Sequence, residues 1–276
     1  MRCFEPEAIF AQGSPAIMGI LNVTPDSFSD GGLFFGTVLA VRRGRELLSA
    51  GAGVVDVGGE STRPGAQPVS AEEEGARVLP VVAGLVAQAP QALISVDTSK
   101  PEVAEQALQQ GAVMINDVTA GCQERMLEVV ARAGAGLVLM HMRGTPQTMQ
   151  QDTRYTQVVA EVAEFLLAQA ERAQRAGVPA SHIFLDPGIG FGKDLEGNLA
   201  LLRALPQWAA WGYPLVLGVS RKSFIGHLTG APVGERLPGS LAALLPALRC
   251  PQVVVRVHDV AATRQFLQVA RAVGVT

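Results

Sequence analysis

Eight short apolar runs recur along this 276-residue chain, and a polar side chain follows each within a few residues. The runs span residues 17–21, 54–57, 93–96, 113–115, 137–140, 183–185, 215–219 and 253–255. Parallel strands are buried on both faces, so they read as continuous apolar runs of this kind. Eight of them with polar residues at the same end predict an α/β fold, a single (β/α)₈ TIM barrel. Function is then expected at the carboxyl ends of the strands.

Helical patterns alternate with these runs. The apolar spacing and the recurring glycines at helix ends predict helices at residues 37–50, 71–88, 101–110, 123–133, 155–176, 198–205, 238–248 and 261–273. Ser70 followed by Glu73 forms a capping box, and Pro101 suits a first helical position. Because such a barrel typically takes about 250 residues, residues 1–276 are expected to form one domain.

Composition excludes several classes of protein. A formal net charge of −3 argues against a nucleic-acid binder, which needs a basic face. The three cysteines have no C-x-x-C spacing, which argues against disulfides and a zinc site. The first ten residues lack the apolar stretch of a signal peptide, and prolines and a glycine interrupt the longest uncharged stretch. A soluble, cytoplasmic protein is expected.

Four polar residues at the ends of different strands form the first candidate site: Asp97, Asn116, Asp186 and Lys222. Two carboxylates and an amide accept hydrogen bonds in one plane, and the lysine supplies a cation. This set suits a flat heterocycle with adjacent N–H donors, such as the guanidine-like face of a pterin. The alternative for either aspartate alone is an ion pair that braces the barrel.

A second candidate site combines the first and last strands, which are neighbours in a closed barrel. Arg256 and His258 alternate on an extended strand end and point the same way. A fork-shaped cation beside a histidine suits a phosphate or pyrophosphate. Asn22 is an oxygen ligand compatible with Mg²⁺, which keeps most of its waters. A lone arginine here would more often be an ion-pair partner, and that alternative stays open.

The glycine-rich segment 188–193 resembles a phosphate loop only superficially. It lacks Walker spacing, and Asp194 replaces the serine or threonine that would bind magnesium. We expect a tight loop that lets Phe191 lean over a ligand. His182 begins a strand and is expected to be structural, whereas His141 lies on the functional face without an obvious partner. The long segments 22–36, 58–69, 141–154 and 220–237 are expected to be mobile lids.

Several motifs together resemble one known family. They are LNVTPDSFSDGG at 21–32, GESTRPG at 59–65, VDT at 96–98, IND at 115–117, DPGIGFGK at 186–193, SRKS at 220–223 and RVHD at 256–259. In this order they are similar to dihydropteroate synthases, and the similarity runs from Met18 to Ala270. The long blocks at 21–32 and 186–193 are highly specific, whereas the two short blocks mean little alone.

The resemblance implies condensation of 6-hydroxymethyl-7,8-dihydropterin pyrophosphate with p-aminobenzoate, which yields 7,8-dihydropteroate and pyrophosphate for folate synthesis. It implies that the pterin is held by Asp97, Asn116, Asp186 and Lys222, with Met140 and Phe191 lining its pocket. It implies that magnesium and pyrophosphate are bound by Asn22, Arg256 and His258. It also implies that p-aminobenzoate is bound by Thr62, Arg63, Pro64 and Ser223, under lids that carry Phe28, Ser29 and Asp30.

The expected catalytic residues are Asp30, Arg63, Lys222, Arg256 and His258, with Mg²⁺ as cofactor and sulfonamides as inhibitors. The resemblance also suggests a homodimer. A corrinoid-linked methyltransferase shares a pterin-binding barrel but should lack the loops at 21–32 and 59–65, which are intact here. A catalytically silent paralogue is the third alternative, and no visibly broken pocket position supports it.

Overall fold

The strands form one closed parallel barrel in the computed structural model, which describes residues 4–24, 32–62 and 65–275. In chain order they are Ala16–Asn22 (β1), Val54–Gly58 (β2), Leu93–Asp97 (β3), Met114–Asp117 (β4), Gly136–Met140 (β5), Ile183–Asp186 (β6), Leu215–Gly218 (β7) and Val253–Val257 (β8). Each strand pairs with the next, and β8 returns to β1. The predicted eight-stranded barrel is confirmed.

Helices connect the strands on the outside. They are Pro6–Ile9 (α1), Gly32–Ala50 (α2), Ala71–Gln88 (α3), Pro101–Gln109 (α4), Glu124–Ala133 (α5), Val158–Arg175 (α6), Leu195–Trp208 (α7), Ser223–Thr229 (α8), Leu237–Ala242 (α9) and Val260–Ala272 (α10). The predicted cap of α3 is present, since the Ser70 hydroxyl accepts the Glu73 backbone N–H at 3.1 Å. None of the described helices is long and apolar enough to cross a bilayer.

The structure adds to or differs from the sequence prediction in two segments. Residues 220–237 were expected to be a mobile lid; α8 and the 3₁₀ turn Val233–Glu235 occupy much of this segment, and the lid role stays a prediction. The helix expected at 238–248 is split into α9 and the 3₁₀ turn Leu245–Arg249. Pro246 explains the break, because proline has no N–H to continue the helical ladder.

The barrel has an apolar floor and a polar mouth. Alternate strand residues point inward, and those nearest the amino ends form a buried cluster that α1 covers. Its members are Phe4, Ile9, Ala16, Met18, Val54, Val113, Met114, Val138, Phe184, Val216 and Val254. The opposite strand faces pack against the helices in a larger cluster. The described interior is therefore filled below, which makes the carboxyl end the expected face for a ligand.

Strand register brings polar residues together at that end. The pairing places Asn22 beside Gly58, Gly58 beside Asp97, and Asp97 beside Asn116. Glycine leaves room within this row, because a Cβ on Gly58 would lie 3.5 Å from the Cβ of Asp97 and 3.8 Å from Oδ1 of Asn22. On the other side of the mouth, Met140 pairs with Asp186.

Candidate active site at the barrel mouth

An ion-pair network joins three strands at the mouth. Arg256 donates from Nε to Oδ2 of Asp56 at 2.6 Å and from Nη2 to Oδ2 of Asp97 at 2.7 Å. Asn116 donates from Nδ2 to the same oxygen of Asp56 at 3.0 Å. The two bonds donated by Arg256 use two of its five guanidinium N–H groups. Arg256 is therefore an ion-pair partner, and it still has donors for an anion.

Asp56 is the site residue that sequence analysis missed. It is completely buried, and its Oδ1 has no hydrogen-bond partner among the described residues. An acidic residue within the apolar run 54–57 was a usable signal, since a carboxylate inside a buried strand must find partners. The alternation of the strand also places it on the same inward face as Val54 and Gly58.

The carboxyl of Asp97 is tuned by burial. Burial raises its pKa to about 7; the positive charge of Arg256 opposes this shift, and the negative charges of Asp56, Glu74 and Asp117 add to it. Burial alone would lower the pKa of Arg256, but the carboxylates of Asp56 and Asp97 hold it above its ordinary value. The mouth therefore contains a permanent cation and a carboxyl that titrates near neutrality.

Lys222 and Asp186 form the second half of the mouth. The Lys222 ammonium lies 4.5 Å from the centroid of the Phe191 ring and donates to the backbone carbonyl of Ile189. Burial lowers the pKa of Lys222 to about 8, against the effect of the Asp186 charge. Burial also raises the pKa of Asp186, although Lys222 and the Gly188 N–H, at 2.7 Å from its Oδ1, oppose that shift.

A buried lysine organises the loop between β6 and α7. Lys193 is 3% exposed. Its Nζ lies 2.9 Å from the carbonyl oxygen of Gly188, 2.8 Å from that of Phe191 and 3.0 Å from Nδ1 of His141. The partner of His141, which sequence analysis did not find, is therefore Lys193. Burial lowers the pKa of Lys193 to about 7 and that of His141 to about 3.

Glycine is required where this loop passes the end of β5. Gly188 has φ of +66°, and a Cβ there would lie 1.9 Å from the carbonyl oxygen of His141. Further along the loop, the backbone N–H of Gly190 donates to Oδ1 of Asn198 at 2.6 Å. The expected tight loop beneath Phe191 is therefore present, and contacts from β5 and α7 hold it.

The residues expected to bind magnesium and pyrophosphate lie at the same mouth. The backbone N–H of His258 donates to the hydroxyl oxygen of Ser220 at 3.2 Å. Its Nδ1 lies 3.0 Å from the same oxygen. Asn22 lies in the row with Gly58 and Asp97. Among the described residues, no three His, Cys, Asp or Glu side chains group as metal ligands. A single amide oxygen fits only an ion that keeps most of its waters, as Mg²⁺ does.

The residues expected at the p-aminobenzoate side are only partly described. Thr62 is half-buried after β2, and Ser223 is exposed as the first residue of α8. Arg63, Pro64, Phe28, Ser29 and Asp30 lie outside the described residues. Their expected contacts therefore stay predictions.

Comparisons with known proteins agree with this geometry. A family model described as pterin binding enzyme matches residues 18–258. The dihydropteroate synthase of Escherichia coli strain K12 is 46% identical over 270 residues, which are 96% of this chain and 95% of the relative. The chain belongs to the dihydropteroate synthase family. As a member of it, the chain is a transferase of folate biosynthesis.

Solved structures of the family superpose closely. The Xanthomonas albilineans dihydropteroate synthase with 4-aminobenzoic acid matches with a TM-score of 0.87 and 47% identity, over 94% of this chain and 93% of that chain. The Yersinia pestis dihydropteroate synthase in a sulfonamide drug complex matches with a TM-score of 0.87 and 42% identity, over 94% of both chains. The barrel described here is therefore the fold of the dihydropteroate synthase family.

Proposed function

We propose that this chain condenses 6-hydroxymethyl-7,8-dihydropterin pyrophosphate with p-aminobenzoate, forming 7,8-dihydropteroate and releasing pyrophosphate. The observation that carries the proposal is the meeting of three carboxyls, an amide and two cations at one barrel mouth, in a chain of the dihydropteroate synthase family. The family description, pterin binding enzyme, supports the first substrate. The 4-aminobenzoic acid named for the Xanthomonas albilineans structure supports the second.

The pterin is assigned to the pocket formed by Asp97, Asn116, Met140, Asp186, Phe191 and Lys222. Asn116 directs its Nδ2 to Asp56, so its Oδ1 is available to accept an N–H from the pterin. The carboxylates accept from the ring N–H groups, and Lys222 faces the ring carbonyl. Pairing removes the cost of leaving buried carboxyls without partners.

The leaving group is assigned to Arg256, His258 and Asn22. Arg256 offers its remaining N–H donors to the pyrophosphate, and His258 adds a donor held in place by Ser220. Bound Mg²⁺, with Asn22 as its protein ligand, would supply further charge stabilisation for the departing pyrophosphate. The C–O bond breaks and its electron pair leaves with pyrophosphate. The amine nitrogen of p-aminobenzoate forms the new C–N bond and releases a proton to solvent.

The second substrate is assigned to Thr62, Arg63, Pro64 and Ser223. We assign Asp30 to stabilising positive charge at the pterin methylene carbon, and its loop to excluding the water that would otherwise capture that carbon. Arg63, Lys222, Arg256 and His258 complete the proposed catalytic set. This scheme needs no covalent nucleophile on the protein, because the site holds the amine close to the methylene carbon.

A coupled assay for pyrophosphate release tests the proposal. We expect release that depends on both p-aminobenzoate and Mg²⁺, with dihydropteroate identified by mass spectrometry. Pyrophosphate release without p-aminobenzoate would indicate a hydrolase, and release without added Mg²⁺ after chelation would remove the magnesium assignment. No turnover with any combination would favour a silent paralogue.

Inhibition and assembly complete the proposal. We expect sulfonamides to compete with p-aminobenzoate, as the sulfonamide complex of the Yersinia pestis relative suggests; purely noncompetitive inhibition would count against the Thr62 and Ser223 assignment. We also infer a cytoplasmic homodimer in which residues 1–276 form one domain. Light scattering after size exclusion would test the dimer, and cell fractionation would test the location.

A further inference from the structure

A cluster of three charged side chains lies beneath the segment that joins β2 to α3. The ammonium of Lys100 lies 2.6 Å from Oε2 of Glu60 and 2.5 Å from Oε2 of Glu74. Glu74 is completely buried, whereas the side chains of Glu60 and Lys100 are 21% and 18% exposed. Sequence analysis noted Glu60 after the second strand but assigned it no role. Neither proposed substrate accounts for this cluster.

Glu60 ties the two ends of the segment together. It stands two residues after β2, and its Oε1 accepts the backbone N–H of Val69 at 3.0 Å, just before the Ser70 cap of α3. Its other oxygen accepts from Lys100. One carboxylate therefore closes the base of a loop that contains Thr62, the residue assigned to p-aminobenzoate.

The helices on either side fix this closure in place. Glu74 lies in the first turn of α3, and Lys100 immediately precedes α4. Arg77 of α3 donates to the carbonyl oxygen of Gly59 at 2.9 Å. The backbone N–H of Lys100 donates to Oγ1 of Thr98 at 3.1 Å, next to the mouth residue Asp97. The loop base is thus attached to two helices and to the end of β3.

The far part of the loop lies against a second loop. Gly65 donates its backbone N–H to the carbonyl oxygen of Pro146 at 3.1 Å, and Gln147 donates from Nε2 to Oε1 of Gln67 at 3.2 Å. Gly65, Gln67 and Gln147 are exposed, where a hydrogen bond competes with water. We therefore expect the charges at the base to hold the loop more firmly than these contacts do.

We propose that Glu60 and Lys100 are positioning residues for the second substrate: Glu60 closes the base of the 59–69 loop, and Lys100 attaches that closure to α3 and α4. This rests on the proposed function, which gives p-aminobenzoate to Thr62 and its neighbours. The role predicts an effect on p-aminobenzoate that the pterin substrate does not share. A role exerted through Asp97, which feels the charge of Glu74, would affect the pterin instead.

Glu60→Ala is the informative variant, because it leaves Lys100 and the buried Glu74 as a balanced pair. We expect the KM for p-aminobenzoate to rise about tenfold or more, while the KM for the pterin pyrophosphate stays within about twofold. Amide hydrogen exchange at Val69, measured without substrates, should become faster. Glu60→Gln keeps an oxygen acceptor for that amide and should recover part of both effects.

Glu72→Ala is the matched control. Glu72 is a neighbouring carboxylate in the first turn of α3, and it is exposed. We expect it to leave both KM values and Val69 exchange unchanged. Should Glu60→Ala fail to fold, Glu60→Gln is judged by the same criteria, with smaller changes expected.

Equal rises in both KM values, a rise for the pterin substrate alone, or unchanged exchange at Val69 would overturn the positioning role. Failure of the proposed function would give a different experimental result. A wild-type protein without p-aminobenzoate-dependent pyrophosphate release would remove the proposed function, whereas Val69 exchange in the unliganded protein would still decide whether Glu60 closes the loop.

Discussion

At the scale of single residues, the mouth is defined by charges that share partners. Asp56, Asp97 and Asn116 come from three neighbouring strands, and Arg256 reaches two of them from β8. A planar guanidinium reaches the two carboxylates from two separate nitrogens in a fixed geometry, whereas an ammonium group has a single nitrogen. In the proposed function Arg256 therefore has two tasks, to neutralise buried carboxylates and to offer its remaining donors to an anion.

Arg256→Lys separates these tasks. The charge is retained, but the two-carboxylate geometry and the spare N–H donors are lost. We expect binding of the pterin pyrophosphate to weaken about tenfold more than binding of the free hydroxymethylpterin, as measured by isothermal titration calorimetry. Some loss for the free pterin is expected too, since Asp97 loses a partner. Equal losses for both ligands would count against the anion site.

The titration of Asp97 and Lys222 predicts a narrow pH optimum. Burial raises the pKa of Asp97 to about 7 and lowers that of Lys222 to about 8. In the proposed function, recognition of the pterin needs an ionised Asp97 and a charged Lys222. We therefore expect kcat/KM for the pterin substrate to rise with pH up to about 7 and to fall above about 8.

Asp97→Asn provides the control for this profile. Its kcat/KM should be lower at every pH, and the fall on the acidic side should disappear, while the fall above about 8 remains. An acidic limb that persists in this variant would assign that limb to another group. The free energy of unfolding depends on pH in the opposite direction to the acidic limb of kcat/KM. Because the folded pKa of Asp97 is about 7 and its ordinary pKa is 3.8, this group contributes its full stabilisation below pH 3.8, and the contribution is lost as pH rises through about 7.

At the scale of elements, the loop between β6 and α7 is positioned by one side chain. Lys193 binds two carbonyl oxygens of the loop and the imidazole at the end of β5. The carbonyl oxygen of Ile189 and the ring of Phe191 are thereby presented to Lys222. Sequence analysis rejected segment 188–193 as a phosphate loop and assigned Lys193 no role. Its acceptors could not be predicted, because only the folded loop brings them together.

Lys193→Met should disturb this loop and its pterin contacts. We expect the KM for the pterin pyrophosphate to rise about tenfold, because the carbonyls of Gly188 and Phe191 lose their donor. The KM for p-aminobenzoate should stay within about twofold, which makes this variant the complement of Glu60→Ala. Steady-state kinetics with each substrate varied in turn measures both values. A larger effect on p-aminobenzoate would contradict the assignment.

At the scale of the whole molecule, stability and function occupy opposite ends of the barrel. The floor is apolar, and Phe184 in it is completely buried between Phe4 and Phe10, with ring-centroid distances of 6.1 Å and 6.5 Å. The charged residues lie above this layer. Changes in the floor are therefore expected to alter unfolding more than recognition of the substrates.

Phe184→Ala tests this division. Removing a buried phenyl ring leaves a cavity and should lower the free energy of unfolding by about 3–5 kcal/mol. The KM values of the remaining folded protein should change less than about threefold. Leu228→Ala is the control, since Leu228 is 54% exposed and its truncation should cost about 0.5 kcal/mol or less. Urea unfolding followed by circular dichroism measures both, and a large KM change in Phe184→Ala would contradict the division.

The sequence by itself determined the barrel and the strand ends that carry polar residues, because burial on both faces demands apolar runs and binding residues follow them. It also placed Asp97, Asn116, Asp186 and Arg256 at one mouth. Only the tertiary structure decided which of them pair. Asp56 was hidden inside an apolar run. His141, one partner of Lys193, lies 52 positions away in the chain, and Glu60, one partner of Lys100, lies 40 positions away. Pairing of that kind depends on register and on closure of the barrel, which local sequence patterns do not encode.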